Sequence, residues 1–224
     1  MKNKSKLLFL PILLVALSFI FNAGCKKEND ANFLGGETNI PLTQVGVKSS
    51  LVINIGNYYL PDAEMTVISN DNGVVTYHAV IDLTGSDDSA LIAGLVPNEY
   101  KDAQGRINTN FKFKITSEGI QDYFQSDKPW TVVKYNDPVG TNYDITNVHG
   151  DRMRRTVTEK TGTDDFPYGW LLIKTSKVEQ NLDPSDNIAT KITYRANHRF
   201  GLVFMEVELK GGATASIYVF PQGI

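Results

Sequence analysis

The chain has 224 residues, with 22 basic and 25 acidic side chains and a formal net charge of −3. That length can bury a sizeable core, and an apolar content of 42% excludes wholesale disorder. A mild acidic excess without a basic stripe argues against nucleic acid as a partner, and a single cysteine excludes a disulfide framework or a multi-thiolate metal site.

The first 24 residues carry the most specific signal. Lys2, Lys4 and Lys6 precede an apolar run from Leu7 to Phe21 of 15 residues, short of the roughly 20 that a membrane-spanning helix needs. Small residues Ala23 and Gly24 follow, then Cys25. This order resembles the signal peptide of bacterial lipoproteins, although Asn22 stands where that family prefers Leu, Val or Ile. The resemblance implies a diacylglycerol thioether on Cys25, removal of residues 1–24, acylation of the new amino group and stable tethering to a membrane. Removing three lysines and no acid leaves 19 basic against 25 acidic side chains, a net charge of −6.

Residues 25–37 then read as a tether, since 26–37 (KKENDANFLGGE) are charged and Gly-rich with no apolar period. Lys26, Lys27, Glu28 and Asp30 resemble the charged export tags of surface-exposed lipoproteins in some Gram-negative lineages. Lys26, not aspartate, follows the cysteine, so the inner-membrane retention signal of other lineages is absent. The expected location is the outer membrane of a cell envelope, on either face.

The remaining chain predicts strands. Leu51, Ile53 and Ile55 alternate with Val52, Asn54 and Gly56; Met65 and Val67 lead through Asn70-Asp71-Asn72-Gly73 to Val75, Tyr77, Ala79, Ile81 and Leu83. Alternation around Asn-Gly is a strong hairpin signal because both central turn residues need positive φ. Glycosylation at Ser89 is suggested by Asp88-Ser89-Ala90, which resembles the tripeptide O-glycosylated on exported proteins of some bacteria. Phe111, Phe113 and Ile115 alternate with Lys112, Lys114 and Thr116, giving one buried and one solvated face. Glu118 to Ser126 reads as a short helix, and Trp130 to Tyr135 as a strand. Further strands are expected at Trp170 to Lys174, at Ile188 to Tyr194, and on either side of Lys210-Gly211-Gly212, with Gly201 marking a bulge.

This spacing predicts an all-β protein. It divides into an immunoglobulin-like sandwich over 38–145 and a smaller β module over 146–224, joined in the polar stretch Asn136 to Asp151. One continuous sandwich is the alternative.

No motif points to catalysis or to a cofactor. His78 falls on the solvated face of its strand, and His149 and His198 in polar loops. The pairs Asp87-Asp88 and Asp164-Asp165, with Asp183 and Asp186, read as solvated turns, because the calcium-loop pattern is missing. Arg152, Arg154 and Arg155 read as a strand's solvated face. Asp164 to Trp170 (DDFPYGW) combines three aromatics, two carboxylates and a Pro/Gly loop. Tyr168 and Trp170 are its candidate ligand-binding residues, for a glycan or an envelope protein; Trp170, which opens an apolar run, is expected to be the more buried.

Two functions are therefore carried forward. The first is a non-catalytic, membrane-tethered binding or accessory lipoprotein without metal or cofactor. The second is an envelope hydrolase acting on glycans or peptides, which would require carboxylates gathered with aromatics in one cleft.

Overall fold

A computed structural model describes residues 32–56, 58–82, 100–125, 128–146, 150–183 and 189–223. Cys25, Ser89, Asp87, Asp88, His149 and Asp186 lie outside them. After a 3-10 turn at Pro41–Thr43, the strands in chain order are β1 (Lys48–Ile55), β2 (Tyr58–Asp71), β3 (Val74–Ile81), β4 (Ile107–Thr116), β5 (Gly119–Gln125), β6 (Lys128–Lys134) and β7 (Asn142–Thr146). They continue as β8 (Arg152–Lys160), β9 (Phe166–Tyr168), β10 (Leu171–Ile173), β11 (Ser176–Asn181), β12 (Ala189–Asn197), β13 (Gly201–Leu209) and β14 (Thr214–Pro221).

The all-β expectation holds, with one large antiparallel sheet and a small second one. Twelve strands run in the order β6-β5-β4-β3-β2-β1-β14-β13-β12-β11-β8-β7, with β9 and β10 forming a separate hairpin. Strands expected in two units are continuous: β1 pairs with β14 from Ser49↔Pro221 to Ile55↔Ala215. The expected junction at 145/146 falls at the end of β7, which pairs with β8 from Asn142↔Thr156 to Thr146↔Arg152. One core cluster draws on both halves, including Leu51, Val75, Ile120, Trp130, Val157, Tyr194 and Val219.

Local chemistry explains most of the elements. Asn72 (φ 49°) and Gly73 (φ 88°) both take the left-handed conformation that the tight β2–β3 turn needs. On β1 and β3 buried and half-buried residues alternate, so one face of the sheet is turned inward. The expected bulge is present near Gly201: Arg195 opposes Phe204 and Ala196 opposes Leu202, leaving Val203 as the extra residue.

The expected helix over 118–126 is instead strand β5, paired on both sides with β4 and β6. Ile120 and Asp122 point inward in strand phase, and a Cβ at Gly119 would lie 2.2 Å from the Val133 carbonyl oxygen. That close approach of backbones suits a sheet position that only glycine fits.

Candidate functional site

The inward faces of β1 to β5, β13 and β14 line an apolar cavity of about 140 Å³. Leu51, Ile53 and Ile55 form one wall, Phe111 and Phe113 another, and Met205, Ile217 and Val219 a third. Among the described residues lining it, none is Asp, Glu, Lys, Arg or His. The space exists because Ser49, Ala79, Thr109 and Gly201 put small groups on the wall. Leu42, 6% exposed, also lines it, and a Cβ at Gly201 would lie 3.2 Å from its Cδ1. Tyr77 stacks with Phe111 at 6.0 Å and meets Phe113 edge-on at 6.1 Å, and burial pushes its phenol pKa up. Folded interiors keep few voids larger than a water, so apolar space of this size inside a sheet is unusual.

Beyond the cavity, the same interior carries a polar knot that closes the sheet. Arg155 on β8 and Asp122 on β5 are 2% and 0% exposed and form an ion pair at 2.7 Å. Arg155 Nη2 also donates to the Tyr194 hydroxyl (3.0 Å), Nε to Gln180 Oε1 (3.2 Å), and Nη1 to the carbonyls of Trp130 and Thr131. Its guanidinium lies 3.7 Å from the centre of the Trp130 ring. Burial pushes the Asp122 carboxyl up against the opposing pull of Arg155, and pushes the Tyr194 phenol up to about 12.

Alongside, Trp130 Nε1 donates to the Tyr143 carbonyl, and the Tyr143 hydroxyl accepts from the Lys134 amide, so side chains join β6 to β7 where no ladder does. From the other face, Asn32 donates to the Asp144 carbonyl and its own carbonyl accepts from Gln121.

Of the three arginines read as solvated, only two are. Arg152 and Arg154 point outward to Asp144 (2.7 and 2.8 Å). Arg155 shares strand phase with the buried Val157, a signal that alternation along β8 already carried.

The aromatic segment is brought together, with its pair reversed. β9 and β10 form a hairpin in which Tyr168 pairs with Leu171 and Phe166 with Ile173. It packs on Phe204, Tyr218 and Phe220, which alternate with the cavity-lining residues and so occupy the opposite face of the sheet. Tyr168 is 5% exposed, stacks on Phe220 at 4.7 Å and donates its hydroxyl to the Val219 carbonyl at 2.5 Å. Trp170 is 93% exposed, with Leu172 at 58%. The inversion follows from the tight turn: Gly169 (φ 61°) and Trp170 sit between the two strands, so the tryptophan cannot share their inward phase.

The remaining candidates stay apart. His78 Nδ1 meets Asn110 Oδ1 at 2.9 Å on the outer face of β3, and His198 lies in the β12–β13 turn. Asp164 accepts from the Lys174 amide, and Asp165 from the Thr163 hydroxyl. Among the described residues no three His, Cys, Asp or Glu side chains are gathered as a metal site would require, and no helix is long and apolar enough to cross a membrane.

No protein-family model matches the chain, nor does any curated protein sequence. A Bacteroides fragilis crystal structure described as a "putative exported protein with YmcC-like fold" is similar at 8% identity and a TM-score of 0.45. The match covers 79% of this chain and 95% of that one.

Proposed function

We propose that this chain is a cell-envelope lipoprotein, tethered to the outer membrane through acylated Cys25, whose folded part binds an apolar ligand inside its sheet without turning it over. The observation that carries the binding reading is the cavity: space of about 140 Å³ with no charged side chain and no histidine in the described wall can hold hydrocarbon and gives its Ser49 and Thr109 hydroxyls no general base there. The hydrolase reading loses support, because Asp122 is engaged by Arg155 and fully buried, while Asp164 and Asp165 lie at the surface. Trp170 and Leu172 leave an apolar face for a glycan or an envelope protein; Tyr168 supports that face from beneath.

The tether is supported by the order of Lys2, Lys4 and Lys6, the apolar run and Ala23-Gly24-Cys25. Intact-mass measurement on the membrane fraction should give a chain beginning at Cys25 and carrying covalent acyl groups, and Cys25→Ser should abolish both cleavage and acylation. An unacylated chain beginning elsewhere would refute the tether.

A further inference from the structure

We infer that the cavity takes one alkyl chain of a separate lipid, an inference that rests on the binding reading above and names its ligand. Hydrocarbon is favoured because a buried polar group without a partner is costly, and the described wall offers no charged side chain to receive one. A single chain is favoured by size. A void of about 140 Å³ is close to the roughly 150 Å³ that holds one benzene-sized guest, so it has room for part of one chain and not for two.

Met65 and Met205 line it and give the wall side chains that adapt to a flexible guest. The chain's own acyl groups are not the occupant, because in a tethered protein they are held by the membrane.

The test uses the full mature chain, titrated with straight-chain fatty acids from octanoate to hexadecanoate and followed by native mass spectrometry. A noncovalent one-to-one adduct is expected, with Kd falling about fourfold per methylene until the cavity is filled. Ala79→Leu and Leu51→Phe each put extra bulk into the cavity, and both should weaken binding at least tenfold with an unchanged or higher Tm. If one of them fails to fold, the other decides.

The inference is overturned if affinity ignores chain length, if the filled variants bind as the parent does, or if cholesterol binds more tightly than any fatty acid. An adduct seen with Cys25→Ser but not with the acylated chain would assign the space to the protein's own anchor, and would also overturn it. Covalent mass on Cys25 persists under denaturing conditions, so failure of the tether and failure of alkyl binding are read separately.

Discussion

Asp144 on β7 shows how a single carboxylate is tuned by its neighbours across a strand pair. Hydrogen bonds from Arg154 and then Arg152 hold its pKa down to about 2, whereas an unfolded aspartate titrates near about 3.9. A depressed folded value means that the ionised form is favoured by folding. Its stabilisation is therefore complete above about pH 4 and is lost as pH falls toward about 2. The carboxylate is 33% exposed, so the contribution is small and weakened by salt. Asp144→Asn should be slightly less stable than the parent at neutral pH, and the difference in Tm should close between pH 4 and 2. A difference that stays constant over that window would show that the two arginines do not tune this group.

The β9–β10 hairpin is held by its aromatic underside and not by the main ladder. Phe166 lies 5.9 Å from Phe204, beneath the Arg195 guanidinium at 4.9 Å, and Tyr168 adds its stack and hydrogen bond. Removing a buried aromatic costs about 3–5 kcal/mol, while truncating a side chain already in solvent changes stability by no more than about 0.5 kcal/mol. Tyr168→Ala should therefore lower the urea midpoint sharply, and Trp170→Ala should leave it in place. Comparable losses for both would mean that Trp170 packs against the fold. That the segment was aromatic and tightly turned could be read from Phe166, Pro167, Tyr168, Gly169 and Trp170. Which ring faced inward could not, because the pattern stops alternating at the turn.

Closure of the whole sheet depends on the knot around Arg155. It joins β8 to β5, β6, β11 and β12 at the place where the end strands β6 and β7 have no ladder between them. Removing one member of a buried ion pair costs about 3–5 kcal/mol because the other charge is left without compensation. Arg155→Met should show that loss in urea unfolding, and the double variant Arg155→Met/Asp122→Leu should recover much of it. Because one core cluster spans residues from both halves, each variant should unfold in a single transition. If Arg155→Met has no effect, or if the halves unfold separately, this account of closure is wrong.

Period-two alternation was enough to establish the all-β class, the β2–β3 and β13–β14 hairpins, and the inward set Leu51, Ile53, Val75, Tyr77 and Ala79, because side-chain direction in a strand follows from local geometry. The same local rule, had it been applied along β8, puts Arg155 in phase with the buried Val157; reading it by its charge assigns it to solvent, and the structure buries it. Only the tertiary structure decided that β1 joins β14, that Gly119 to Gln125 extends as a strand paired on both sides, and that Asp122 meets Arg155. The first and last of these depend on partners 33 to 172 residues away, which no local pattern encodes, while β5 is fixed by its neighbours β4 and β6. The cavity belongs to the same class: Leu51, Ile53, Tyr77, Ala79 and Phe113 could be recognised from alternation, but Phe124 falls in a segment that reads as helix, and the space between them exists only because the sheet curves around it.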